Sequence, residues 1–196
     1  MKKLEARTHI LIAKNIHNFF KKRNINLSKF WLKVGSVKPD FTNDDINHYK
    51  DESIYLFYEK FSELKNIDPK KEIKKFSLKL GEIFHYTADF FCHAHNNSKM
   101  AENYFYHFKY EWKLNKVAYR SQNNIFKINQ LNSYIYQLTL KELMNYKHKE
   151  YLQTNSSFAN DLFYSFQFSI FIANKLLVNT YKQKILNSNY HLDIAK

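Results

Sequence analysis

Nine histidines lie along this 196-residue chain, and most of them fall in a pattern with acidic side chains. His85 and Asp89 are four residues apart, as are His107 and Glu111. On a helix that spacing puts both members of a pair on one face. Each pair offers an imidazole nitrogen and a carboxylate oxygen, donors that zinc takes readily. Two neighbouring helices projecting such pairs inward follow the scheme by which helical bundles build metal sites. His95 lies six residues after Asp89 and joins them only where the helix ends near His93. The run Cys92-His93-Ala94-His95-Asn96-Asn97-Ser98 favours such an ending, because Asn and Ser suit helix termini and turns. Upstream, Asp40, His48 and His9 complete a set of eight. A single His and acid at this spacing is common on a solvated helix surface. These sit among Phe84, Tyr86, Phe90, Phe91, Tyr104, Phe105, Phe108 and Trp112, in helices expected to be largely buried. Buried acids and histidines need partners, and a metal cluster supplies them.

The elements that must position these groups are expected to be helices. Hydrophobic residues make up 44% of the chain, with 18 Phe and 15 Tyr, enough to build a core. Only 2 Gly and 2 Pro are present, too few for the turns of a sheet protein. The expectation is an all-α fold, a compact helical bundle forming one domain over residues 1–196. A first helix is predicted from Thr8, as N-cap, to Arg23, with Ile10, Ala13, Ile16 and Phe20 on one face. Asn24 to Tyr49, with Gly35 and Lys38-Pro39-Asp40, reads as irregular structure. A second helix is predicted over Asp51–Leu64, and a third starts at Asp68-Pro69 and reaches His93. Ser98 is expected to cap a fourth running to Lys116, followed by helices over Ser133–Tyr151 and Ser157–Leu186.

One cysteine, Cys92, excludes an internal disulfide framework and reads as a small buried residue. The apolar run Ile10–Ala13 is too short for a signal-peptide core, so a cytoplasmic protein is expected. Phe158–Val178 is interrupted by Asn160, Asp161, Gln167, Asn174 and Lys175, the pattern of a buried amphipathic helix and not of a membrane span. Thirty-one Lys and Arg against 18 Asp and Glu leave a net charge of +13. Nucleic acid and phospholipid headgroups are the anionic partners this suggests. The Lys-, Asn- and Ile-rich composition is also what an A/T-rich coding sequence produces, so the charge is weak support for nucleic acid. No obligate protein partner is evident. His17, His148 and His191 fall outside the pattern and read as surface residues, and His93 as a partly exposed neighbour of the site.

The order of these residues resembles a known family. Gly81-Glu82-Ile83-Phe84-His85-Tyr86-Thr87-Ala88-Asp89-Phe90-Phe91-Cys92-His93-Ala94-His95-Asn96 is similar to the core motif of the zinc-dependent phospholipase C family: His, Tyr and two small residues before Asp, then His and Asn. His107-Phe108-Lys109-Tyr110-Glu111 resembles the family's His-x3-Glu. Upstream, Thr8-His9, Gly35-Ser36-Val37-Lys38-Pro39-Asp40 and His48 follow in the family's order, so the resemblance spans residues 8 to 111. It implies an all-α fold, shared with the single-strand-specific zinc nucleases, around a cluster of two or three zinc ions. By the resemblance, Asp40, His48, His85 and Asp89 bind one zinc, and His95, His107 and Glu111 a second. Asp89 would bridge to a third, also held by His9, and Asp40 would act as general base. In the family an N-terminal Trp also holds the third zinc, whereas this chain begins with Met1 and has no Trp before Trp31. Either His9, Asp89 and water hold the third ion, or the site takes two.

The expected function is therefore a zinc-dependent phosphodiester hydrolase with phospholipid as substrate class and peripheral membrane contact. A single-strand nuclease of the same fold and a non-catalytic zinc-binding helical protein are the alternatives. Structural zinc sites are closed by four protein ligands, whereas His95, His107 and Glu111 leave a position open, which favours catalysis. A histidine-aspartate phosphohydrolase is disfavoured, since an adjacent His-Asp dipeptide occurs nowhere in the sequence.

Overall fold

Every regular element among the described residues, 5–42, 49–97, 103–120 and 137–190 of a computed structural model, is helical. In chain order they are α1 (Glu5–Lys21), α2 (Lys29–Val37), a 3-10 turn over Lys38–Phe41, and α3 (Lys50–Lys65). After them come α4 (Ile73–Phe90), a second 3-10 turn over His93–His95, α5 (Tyr104–Arg120), α6 (Leu140–Gln153) and α7 (Phe158–Tyr190). The expected all-α fold is what the structure has.

Helix α4 is the hub, packed on by α1, α2, α3 and α7. It is buried from Leu80 through Phe90 on every side, as a helix surrounded by others must be. Phe57 of α3, Phe90 of α4 and Phe168 of α7 stack into one aromatic layer, with ring centroids 5.7 and 6.4 Å from that of Phe57. Phe91 continues the layer against Phe168 and Tyr164, 5.2 and 6.0 Å away. Of the stripe predicted for α1, Ala13, Ile16 and Phe20 lie in the core and Ile10 is half-buried; Phe57 and Phe61 from α3 and Phe76, Leu80 and Phe84 from α4 join them in the core, while Ile54, Tyr58 and Ile73 are half-buried.

Several boundaries differ from expectation, each for a local reason. Residues 29–37 form a helix where irregular structure was expected. Gly35 lies inside it because that residue sits against the backbone of α4. A Cβ on Gly35 would stand 1.9 Å from the Leu78 carbonyl oxygen, and one on Gly81 2.3 Å from that of Leu32. The chain's two glycines thus face each other at a helix crossing closer than any side chain permits. Thr8 is within α1, which already runs from Glu5. Asp68 opens a turn, its side chain accepting from the Lys70 N–H at 2.8 Å, and the helix proper begins at Ile73. Helix α5 is capped by Asn103, whose Oδ1 accepts from the N–H groups of Phe105 and Tyr106. Thr139 and Glu142 form a reciprocal capping box on α6, and Ser157 caps α7 through the Asn160 N–H. Ser98, Ser133 and His191 lie outside the described residues. No helix among the described residues is long and apolar enough to cross a membrane.

Candidate metal centre

The glycine crossing of α2 on α4 fixes the first part of the site. It sets the Ser36 carbonyl 3.1 Å from Nδ1 of His85. A carbonyl only accepts, so Nδ1 carries the proton and Nε2 is left as the ligand atom. Nε2 faces Asp89 Oδ2 at 3.1 Å, one turn along α4, and Asp40 Oδ1 at 3.6 Å, from the 3-10 turn that follows α2. His9 of α1 stacks on the His85 ring at 4.2 Å and turns Nε2 to Asp89 Oδ1 at 3.4 Å. Burial, and then the neighbouring His85 ring, push the His9 pKa below the usual range despite three nearby carboxylates. A neutral imidazole is the form that binds metal. Donor atoms of His9, Asp40 and His85 lie within 4.8 Å of one another.

The second part adjoins it. Chain reversal after Phe90 swings His95 back, with Nε2 3.8 Å from Asp89 Oδ1 and 3.2 Å from Glu111 Oε1. His107, one turn before Glu111 on α5, brings Nε2 to the same oxygen at 2.9 Å. Donor atoms of His95, His107 and Glu111 also lie within 4.8 Å of one another. Asp89 stands between the two groups. Imidazole nitrogens and carboxylate oxygens converging at this range are a donor set that fits zinc.

Seven of the eight expected residues are therefore brought together: His9, Asp40, His85, Asp89, His95, His107 and Glu111. His48 lies outside the described residues. His9 stands beside Asp40 and His85 as well as beside Asp89. Sequence reasoning also missed the groups that hold the second 3-10 turn in place. Asp161, read only as an interruption of an apolar run, is buried and accepts from the Tyr110 hydroxyl at 2.7 Å, the Tyr151 hydroxyl at 2.8 Å and the His93 N–H at 3.1 Å. It ties α5, α6 and α7 to the turn that carries His95. Burial raises its pKa even against those donors. A cavity of about 20 Å³, room for one water molecule, lies between Asp161 and the cluster, lined also by Thr8, His9, Asp89, Cys92 and Glu111. Cys92 is buried as expected, and burial drives its thiol pKa well up. Phe105 and Trp112, expected in the core, are exposed.

His148, expected at the surface, is buried against Phe91, with Nε2 2.9 Å from Asn96 Oδ1. The Asn96 amide in turn donates to the carbonyls of Phe90 and Cys92, both at 2.9 Å, closing the end of α4. Burial, reinforced by Lys50, lowers the His148 pKa to about 4. A histidine whose folded pKa lies below its unfolded value contributes stability that is present above about 6.5 and lost as pH falls toward 4. The zinc-free protein is expected to lose stability across that window. The loss should be smaller by roughly 2 kcal/mol in His148→Gln, measured by urea unfolding at pH 7 and pH 4.5. Equal losses in the two proteins would show that His148 titrates normally.

The fold and the donor set define an all-α protein with a histidine–carboxylate cluster, buried at one group and half-buried at the other, able to take metal. The description zinc dependent phospholipase C belongs to a family model that matches residues 8–186, and the chain belongs to that family. No curated protein and no solved structure matches it.

Proposed function

We propose that this chain is a zinc-dependent phosphodiester hydrolase of phospholipase C type, with residues 1–196 acting as one domain. The observation that carries the reading is the pair of three-residue donor groups with Asp89 between them. His9, Asp40 and His85 would hold one zinc and His95, His107 and Glu111 a second, with Asp89 within reach of both groups. His48 is a further ligand by the family's pattern. Zinc held there supplies a hydroxide nucleophile at neutral pH and positive charge against the phosphate.

The chain's own residues do the rest. Asp40 takes the proton from the attacking water as general base. The Ser36 carbonyl keeps His85 in the tautomer that offers Nε2, and Asp161 holds the His93–His95 turn so that His95 faces Glu111. As the water oxygen bonds to phosphorus, the bond from phosphorus to the leaving oxygen breaks, and that oxygen takes up a proton from solvent to leave as the alcohol, while the proton held by Asp40 returns to water. Phe41, 60% exposed, follows Asp40, and Phe105 and Tyr106, 66% and 56% exposed, precede His107. Exposed aromatics beside the ligands suit a substrate lying in a membrane surface, where aromatic rings are favoured. They support phospholipid as the substrate class.

Zinc-loaded protein is expected to hydrolyse phosphatidylcholine to a phosphorylated headgroup and diacylglycerol, and to leave single-stranded DNA intact. His107→Ala is expected to lose the zinc of the second group and at least about 100-fold in activity. Cleavage of DNA with no lipid hydrolysis would make the protein a nuclease of this fold. Full zinc content in His107→Ala would remove His107 from the ligands.

A further inference from the structure

Helix α1 turns His9 inward to the cluster, and its opposite face presents Arg7, Ile10, Leu11 and Lys14. These lie at positions i, i+3, i+4 and i+7, one stripe of a helix. Across from them α5, beyond Glu111, presents Asn115, Lys116, Tyr119 and Arg120. Together they line a cleft of about 540 Å³, a volume in the usual range of ligand sites, about 300–1,000 Å³. Four of the eight lining residues are cations and none is an acid. No described carboxylate is in ion-pair range of Arg7, Lys14, Lys116 or Arg120, although ion pairs occupy lysines elsewhere, such as Lys38, Lys60 and Lys79. Lys116 Nζ lies 3.3 Å from the centre of the Trp112 ring, which steadies it without neutralising it. The apolar part of the lining is the half-buried Ile10, the edge of the buried Leu11 and the Tyr119 ring, itself 72% exposed.

Concentrated positive charge with an apolar strip matches a ligand that joins a phosphate to a hydrocarbon chain. Free inorganic phosphate would use the cations alone and leave the apolar strip in water. Single-stranded nucleic acid would be met by a groove with successive stacking rings, and this one has a single tyrosine. We propose that the α1–α5 cleft binds the phosphate headgroup of an anionic phospholipid, holding the protein on a charged membrane surface at a point separate from the metal cluster. The inference deepens the phospholipid reading of the metal centre and rests on it. The two helices that line the cleft also carry His9, His107 and Glu111 of the cluster, so lipid held at one orients the other to the bilayer.

The test is vesicle co-sedimentation of the whole zinc-loaded chain, with phosphatidylcholine vesicles alone and with added phosphatidylglycerol. Binding is expected only with phosphatidylglycerol, and to weaken as salt is raised. Lys14→Gln with Lys116→Gln should lower the affinity about 25-fold, at roughly fivefold per charge near an anionic surface. Arg7→Gln with Arg120→Gln should do the same. The control pair Lys71→Gln with Lys74→Gln removes two exposed charges outside the cleft and should lower affinity less than threefold. Equal losses in the cleft and control pairs would overturn the proposal, because binding would then follow net charge. Millimolar inorganic phosphate that abolishes vesicle binding would also overturn it in favour of a free-phosphate site.

Binding is also read in His107→Ala, independently of hydrolysis. Cleft-dependent binding that persists while phospholipid hydrolysis is absent in the wild type would sink the proposed enzyme and keep the cleft. Hydrolysis of a soluble short-chain phosphatidylcholine that is unchanged in the cleft variants, together with unchanged vesicle binding, would sink the cleft and keep the enzyme.

Discussion

Asp89→Ala is expected to lose at least one zinc ion and at least about 100-fold in hydrolysis, a greater effect than any other single ligand change. The reason is position. Its two carboxylate oxygens lie 3.1 to 3.8 Å from imidazole nitrogens of His9, His85 and His95, which come from α1, α4 and the second 3-10 turn. Removing the carboxylate leaves two buried rings and the half-buried His95 ring with less negative charge to hold cations among them. Elemental analysis of the purified protein checks this directly, with two or three zinc ions per chain in the wild type and at least one fewer in the variant. Wild-type zinc content in Asp89→Ala would remove Asp89 from the site. A wild type that takes up no transition metal when zinc is supplied would remove the enzyme reading altogether.

Gly81→Ala should destabilise the fold, although alanine is the better helix former by about 1 kcal/mol. The added methyl would meet the Leu32 carbonyl oxygen at 2.3 Å and the backbone of Gly35 and Ser36 at 2.9 and 2.8 Å. These are backbone atoms and cannot swing aside, so α2 must move. Overpacking of this kind costs about 1–3 kcal/mol, which for a chain of this size lowers Tm by about 3–10 °C. Moving α2 also shifts the Ser36 carbonyl and Asp40 away from His85, so zinc affinity at that group should fall with stability. A Tm at or above the wild type would show that helix propensity outweighs the contact and that α2 is free to adjust.

The helical fold was legible because its causes are local. Scarce glycine and proline, and apolar residues at helical spacing, need no knowledge of the partner helix. The pairs His85–Asp89 and His107–Glu111 were legible for the same reason, since four residues on a helix fix their geometry. What escaped detection depends on distant neighbours. Gly35 reads as a turn residue until Gly81 is set opposite it. His148 reads as a surface residue until Asn96, 52 positions earlier, accepts its proton. Asp161 reads as an interruption until Tyr110, Tyr151 and the His93 amide converge on it. None of these contacts leaves a periodic signal, because each joins segments that the fold alone brings together.

The Lys38–Glu82–Lys60 contact shows how such a join is held against acid. Glu82 is buried on α4 and accepts from Lys38 at 2.6 Å and Lys60 at 2.9 Å. Burial alone would raise its pKa, but the two lysines outweigh that and hold it below the ordinary glutamate range. The stability it lends is present above its unfolded pKa of about 4.5 and lost as pH falls through the lower folded value. Glu82→Gln should flatten the acid limb of the stability curve below pH 4.5, read by thermal melts at stepped pH. An unchanged acid limb would show that the two lysines do not hold the carboxylate in its charged form.

The seven described candidate ligands are drawn from α1, both 3-10 turns, α4 and α5. His9 and Glu111 are about a hundred residues apart in the chain, so no fragment of the sequence holds the cluster. Ions gripped by all these segments close long loops at once, as a cross-link would. Zinc held there would act as a clasp across all of them. Unfolding of the loaded protein must wait for the ions to leave, and chelators should set its lifetime.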